Sequence, residues 1–203
     1  SGSFTAKGES LTLNGEHKAG GALSVTSQSD ISLNDAQLAS DSNISLNSQG
    51  KFSVANSSIT AAKNLTLATR DLEVDQTSRG DAAQNITATL SGTGNMQGQL
   101  TAGQNVVMTG NTLTNSGQIA ANSDAQISIN TLTNSGTIQS QKNLALTGRS
   151  LNNSGTLLSG GTLTVDAHTL NQDGQLAAKG NAQITASQTL RNSGNLLSEG
   201  SLT

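Results

Sequence analysis

Five near-copies of one pentapeptide punctuate the second half of the sequence: Leu113-Thr-Asn-Ser-Gly, Leu132-Thr-Asn-Ser-Gly, Leu151-Asn-Asn-Ser-Gly, Leu170-Asn-Gln-Asp-Gly and Leu190-Arg-Asn-Ser-Gly. They are spaced by 19, 19, 19 and 20 residues. A repeat this short cannot enclose a core of its own. It must bury its apolar face against its neighbours, so the chain has to stack as a solenoid.

Apolar pairs at i and i+2 mark strands with one buried face, and here they fall into three families. The first runs Leu11/Leu13, Ile31/Leu33, Phe52/Val54, Leu72/Val74, then Leu113/Asn115 and its equivalents. The second runs from Leu38/Ser40 and Ile59/Ala61 through Leu100/Ala102 to Leu196/Ser198. The third runs from Leu23/Val25 through Val106/Met108, Ile127/Ile129 and Leu163/Val165 to Ile184/Ala186. Three short strands per coil, each over its equivalent one coil later, make parallel sheets. The rest of the coil serves as the crossover, which is right-handed by strong default. The expected fold is all-β: a right-handed parallel β-helix of roughly ten coils, about 50 Å long at the usual strand spacing.

Coil size divides the rod. Residues 1–75 form coils of about 21 residues and residues 100–203 coils of about 19. Residues 76–99 form a less regular transition that stays in register, with Thr93 and Asn95 where Leu113 and Asn115 fall. The whole reads as one continuous solenoid. In the second half the first ladder's second position becomes an amide: Asn115, Asn134, Asn153, Gln172 and Asn192. Stacked amides hydrogen-bond from coil to coil and to turn backbone. The glycine two residues on (Gly117, Gly136, Gly155, Gly174, Gly194) suits a turn needing positive φ.

Composition then narrows the function. Hydrophobic residues make up 33% of the 203, which suffices for a narrow core, and the absence of proline together with regular apolar spacing argues against disorder. The net charge of −3 comes with no basic cluster, and the only aromatics are Phe4 and Phe52. Nucleic-acid binding, which wants a basic track and stacking rings, is therefore set aside. Without cysteine there is no disulfide framework and no thiolate metal site. Apolar runs such as Val106-Val107-Met108 are far too short to span a bilayer. The pattern is already under way at both ends, so the sequence reads as a stretch of a longer rod.

Few residues suggest chemistry. Asp71, Glu73 and Asp75 alternate with Leu72 and Val74 and so point outward together, alternate residues lying roughly 6.6 Å apart. That separation lies within the range used by inverting glycosidases. No second acid cluster, histidine or aromatic sugar platform accompanies them, so they read as a solvated face, with weak divalent-cation binding the lesser alternative. Arg79-Gly80-Asp81 spells the tripeptide that integrins recognise. Register sets Gly80 and Ala82 level with Ile59 and Ala61, along a strand rather than at a loop tip, which favours coincidence over adhesion. His17 occupies the position of Leu38 and Ile59, and His168 lies by a turn. Two distant histidines make no zinc site. Neither a phosphate-binding Gly-x-x-x-x-Gly-Lys-Ser/Thr nor a Gly-x-Ser-x-Gly elbow occurs, and no cofactor is expected. Asn43-Ile-Ser, Asn64-Leu-Thr and Asn85-Ile-Thr match glycosylation sequons, which an Asn/Ser/Thr-rich chain generates freely.

The repeated Leu-x-Asn-Ser-Gly-x-Ile/Leu-x-Ala/Ser, followed by Asn-Leu-x-Leu as at Asn143-Leu-Ala-Leu, resembles the filamentous haemagglutinin repeat family. The resemblance is close over residues 100–203 and looser over residues 4–75. It implies the shaft of a large exoprotein, secreted to the surface of a Gram-negative bacterium through the outer-membrane transporter of a two-partner secretion pathway. The family includes haemagglutinin-like adhesins and contact-dependent growth-inhibition toxins. It further implies a non-enzymatic module that extends a distal receptor-binding or toxin region, with any target-cell receptor engaged through other segments. Two competing readings are a sheet face that binds host receptor or glycan directly, and a carbohydrate-active β-helix enzyme.

Overall fold

A computed structural model describes residues 2–203. The described residues form twenty strands and no helix, all paired in parallel with the equivalent strand one coil away. Two strands make up each coil, which gives ten coils of a parallel β-helix.

The inward ladders carry the stacking. Leu113 lies over Leu132, Leu151, Leu170 and Leu190 in successive coils. Leu100, Ile119, Ile138, Leu157, Leu176 and Leu196 form the second stack. These side chains and their equivalents join into one apolar core running from Leu13 to Ala182, with Phe52 fully inside it. Buried residues alternate with more exposed ones along most strands, as in Ile44–Ala55. That alternation is what a one-sided strand requires.

The corners differ from the expected three separate strands. From Ile44 onward the third and first ladders run together as one bent strand of ten to twelve residues, followed by a four-residue strand bearing the second ladder. In the first two coils the break falls elsewhere, so Leu11–Ala19 and Ile31–Ser40 each carry the first and second ladders. Bulges absorb the corner in the long strands, for example between Ser48 and Lys51 and between Thr69 and Leu72. An extra residue on one strand bends it without ending the pairing.

Two register assignments change accordingly. Leu113 and Asn115 face Gly94 and Met96, not Thr93 and Asn95. The stretch from Leu90 to Thr93 carries one more residue than the facing stretch from Gly110 to Thr112, and this pushes every later residue on by one. Met96 is fully buried, and the Leu90 and Leu113 side chains fill the space beside Gly94. In the third ladder the equivalents of Leu144/Leu146 and Leu163/Val165 are Ala125/Ile127 and Ala182/Ile184, two residues earlier than the larger apolar pairs suggest. A shift of two keeps the same residues inward, so the core face is unaffected.

The repeat glycines serve a different purpose from the one their turn position suggests. Positive φ occurs at Gly15, Asp35 and Asn56, and not at Gly117, Gly136, Gly155, Gly174 or Gly194. A Cβ on each of these five would instead run into the carbonyl oxygen of a glycine one coil earlier, as Gly155 would into Gly136. That same carbonyl accepts the N–H of the residue following the next glycine, at 2.8 Å from Thr156 to Gly136 and 2.8 Å from Gln175 to Gly155. Glycine is required because main chain packs on main chain. Gly155→Ala is expected to cost about 1–3 kcal/mol, the usual range for overpacking, and to lower the denaturant midpoint. An unchanged midpoint would show that coil spacing is set elsewhere.

Candidate functional site

The most organised polar groups in the molecule lie inside it. Asn115 Nδ2 donates to Asn134 Oδ1, Asn134 Nδ2 to Asn153 Oδ1, and Asn153 Nδ2 to Gln172 Oε1, each at 2.8 Å. Every one of these amide nitrogens also reaches turn carbonyls: Asn134 Nδ2 contacts Gly136 O at 3.2 Å and Thr156 O at 3.3 Å. The four residues are buried. A buried amide is tolerated only when its donors and acceptors are paired, and the stack pairs them. Asn192 does not join: it is exposed on the last coil, and Gln172 Nε2 turns to Asn195 O at 3.3 Å. At the other end Asn115 Oδ1 is the one buried side-chain polar atom among the described residues without a partner. The coil before it presents Met96, whose side chain has no N–H to donate.

A second amide ladder runs along the turn that precedes the third-ladder strands, and inward periodicity does not reveal it. Asn64 Nδ2 donates to Asn43 Oδ1, Asn85 Nδ2 to Asn64 Oδ1, and Asn105 Nδ2 to Asn85 Oδ1, each at 3.0 Å. The backbone N–H of each upper residue reaches the same oxygen, at 3.2 Å. The series continues through Asp124 and Asn143. The side chains at the three sequons are thus engaged in stacking. The signal available in the sequence is the recurrence of Asn or Asp just before the third-ladder pair, every 19 to 21 residues from Asn43 to Asn143.

The outward acids are also occupied. Asp71 accepts from Thr93 N–H at 2.8 Å and from Arg70 Nε at 2.8 Å; the Thr93 bond first, and then Arg70, hold its carboxyl below the usual range. Burial pushes Asp75 up, but hydrogen bonds from Ser78, Asn56 N–H and Thr77 outweigh it, and its pKa is lowered. Glu73 pairs with Lys51. A glycosidase acid needs a raised pKa, and the two shifted carboxyls of this trio move the opposite way. No group of three or more His, Cys, Asp or Glu side chains among the described residues is placed to hold a metal.

Arg79–Ala82 is a strand, with Gly80 buried between Ile59 and Leu100. Arg79 Nε lies 3.6 Å from Asp81 Oδ2, and burial raises the Asp81 pKa against the opposing pull of Arg79. The tripeptide therefore presents its two charges to each other on a flat face. His17 is half-buried against Phe4, their rings 5.6 Å apart, and His168 Nδ1 is 2.7 Å from Ser187 Oγ. The two histidines belong to coils at opposite ends of the rod.

The stacked repeats match the haemagglutinin repeat family over residues 109–171 and 158–203. The likeness to haemagglutinin repeats thus lies in the second half of the chain. The tRNA nuclease CdiA of Escherichia coli (strain NC101) is 52% identical over 105 residues, which is 52% of this chain and 3% of that protein. The 16S rRNA endonuclease CdiA of Enterobacter cloacae subsp. cloacae is 30% identical over 113 residues, 56% of this chain and 3% of that protein. The matched stretches are thus small parts of much longer relatives. No solved structure matches the chain. The inner amide ladder, from Asn115 to Gln172, lies wholly within the residues that match haemagglutinin repeats.

Two expected outcomes follow from these groups. Asn134→Leu leaves the Asn153 acceptor and the Asn115 donor without their side-chain partner and should cost about 1–3 kcal/mol. Asn115→Leu also takes a donor from Gly117 O and Thr137 O, but within the ladder it only moves the unpaired acceptor from Asn115 to Asn134 and should cost less; equal losses in chemical denaturation would show that the donor stranded by Asn134→Leu carries no cost. The lowered pKa values of Asp71 and Asp75 contribute stability above the ordinary carboxyl pKa of about 4, and this is lost as pH falls through their folded values. Asp81 has the opposite sign, since its charge is disfavoured in the fold. Asp71→Asn and Asp75→Asn should each lower the melting temperature at pH 7 but not in strong acid, whereas Asp81→Asn should raise it at pH 7. Thermal melts across pH check all three.

Proposed function

We propose that this segment is a non-enzymatic shaft: a rigid length of a large exoprotein exported by two-partner secretion to a Gram-negative cell surface, holding a distal receptor-binding or toxin region away from the cell. The observation that carries the reading is where the polar chemistry is spent. The ladder amides stack on one another, Asp71 and Glu73 bind neighbouring backbone or cations, and the apolar groups close one continuous core. What remains outside is a flat surface whose shape repeats with the coil.

The relatives favour a toxin-carrying exoprotein over an adhesin, because both are named as nucleases. The similarity to them lies in repeat coils in which, among the described residues, no three His, Cys, Asp or Glu side chains are placed to hold a metal, which supports placing the nuclease centre of such a protein in another segment. The outer-membrane transporter would act on the exoprotein during export, and any target-cell receptor would be engaged elsewhere along it.

Deletion of one 19-residue coil in register from the full-length protein should leave export, folding and delivery intact, since neighbouring coils present the same interface. The purified 203-residue segment should neither cleave tRNA nor attach to target cells. Loss of delivery by a correctly exported, folded deletion variant, or attachment by the isolated segment, would replace the shaft with a direct binding module.

A further inference from the structure

Three carboxylates accept from a neighbouring coil on a single oxygen. Asp30 Oδ1 takes Lys51 N–H at 2.7 Å, Asp35 Oδ1 takes Asn56 Nδ2 at 2.5 Å, and Asp124 Oδ1 takes Asn143 N–H and Nδ2, both at 3.0 Å. Asp71 and Asp75 use both oxygens. Asp71 Oδ1 accepts Thr93 N–H at 2.8 Å and Thr93 Oγ1 at 3.1 Å, while its Oδ2 accepts Arg70 Nε at 2.8 Å. Asp75 Oδ1 accepts Thr77 N–H at 3.1 Å and Thr77 Oγ1 at 2.9 Å, and its Oδ2 accepts Asn56 N–H at 3.0 Å. Both belong to the coil built from Leu65–Val74 and Arg79–Ala82. Thr93 lies in the coil after it and Asn56 in the coil before it. One coil is therefore clasped on both sides.

Two features set this coil apart. A Cβ on Gly92 would run into Asp71 Oδ1, so glycine there admits the carboxylate to the following coil. The apolar hold is also thin: the inward second-ladder position is Gly80, between Ile59 and Leu100, and the side-chain ends of Leu100 and Leu65 fill the space beside it.

We propose that this coil is an acid-released joint: Asp71 and Asp75 clasp it to the coils on either side at neutral pH, and their protonation opens it while the amide-stacked coils from Asn115 to Gln172 stay closed. Neither carboxylate has an oxygen that can take a proton without displacing an N–H donor. The bonds that survive fall from charge-assisted to neutral, roughly halving in strength. The opposing side chains do little to prevent this. Arg70 on the same strand and Lys51, the register partner of Asp71, are the nearby cations; Lys51 is paired with Glu73, and Asp30 acts on Arg70. The following coil brings only neutral Thr93, Asn95 and Gln97. Asp75 faces Asn56, whose amide is held by Asp35. Asp81 has the opposite sign, because burial disfavours its charge even beside Arg79; it limits the opening but clasps no other coil. The carboxyls of Asp71 and Asp75 are held below the usual range. The opened coil thus binds more protons, and the clasp is lost as pH falls through their folded values, below the ordinary carboxyl pKa of about 4. The amides of the inner ladder do not titrate.

The test is hydrogen exchange of the whole chain read by mass spectrometry, at neutral pH and at a pH roughly two units below the ordinary carboxyl pKa of about 4, with protection corrected for intrinsic rates. In acid the amides of residues 65–82 should lose protection at least several-fold more than those of residues 125–159. Asp71→Asn combined with Asp75→Asn puts a neutral group of the same shape at each clasp. It should produce that loss already at neutral pH, with little further change in acid, whereas Asp81→Asn leaves the acid response in place. Equal acid losses in the two stretches overturn the proposal, as does wild-type protection of residues 65–82 in the double variant at neutral pH. Should the double variant not fold, the single variants decide. Asp71→Asn must expose Thr93 N–H and Asp75→Asn must expose Asn56 N–H, and if neither exchange rate rises the joint does not exist.

Discussion

Parallel stacking places each residue of a coil over its equivalent in the next, about 4.8 Å away, and main-chain N–H groups must find carbonyls across that gap. The glycine column at the repeat turns shows how little tolerance this leaves. At Gly136 and Gly155 the carbonyl of one coil occupies the volume a Cβ would need in the next, and it accepts a hydrogen bond there. Any side chain at that position would push two coils apart. Because each interface depends on the one beside it, the constraint reappears in every repeat of the second half.

The same like-on-like geometry decides which polar residues the rod can use. Identical charges stacked at strand spacing repel, whereas an amide both donates and accepts and therefore complements its own copy. Only 11% of residues are charged, and the amides form two ladders of opposite polarity. Inner amides donate toward the C-terminal coil, as Asn115 does to Asn134, and outer ones toward the N-terminal coil, as Asn64 does to Asn43. Asp124 shows what happens when the outer ladder loses an amide. Its carboxylate still accepts from Asn143 N–H and Nδ2, but only its backbone N–H reaches back to Asn105 Oδ1. The ladder survives an acceptor-only member because the main chain supplies the missing donor.

How legible all this is depends on side-chain size. Large inward residues such as Leu72, Leu113 and Leu132 declare both their strand and their face, so the coil count and the core follow from spacing alone. Gly94, Ala125 and Ala182 occupy the same kind of position without declaring it, and register assigned from their larger neighbours slips by one or two residues. The outer ladder escapes because hydropathy gives no weight to a polar residue on a turn, although the recurrence of Asn43, Asn64, Asn85 and Asn105 records it. The repeat glycines are ambiguous in another way. Positive φ and close main-chain approach both select glycine, and only the geometry separates them.

Function follows from what stacking leaves unconstrained. Inward residues and turn glycines answer to the coils above and below, while outward residues answer mainly to solvent. On the second-ladder face the outward position runs Thr60, Asp81, Thr101, Ala120, Gln139 and Leu158 without a shared chemistry. A surface selected for one ligand would hold its contacts constant from coil to coil or gather them at one place, and this face does neither. The inward stack, by contrast, holds leucine or isoleucine at every coil from Leu100 to Leu196. Regularity is kept where it sets the axial spacing and relaxed where a partner would bind. That pattern is expected of an element whose contribution is length and stiffness, with stability that accumulates one coil interface at a time.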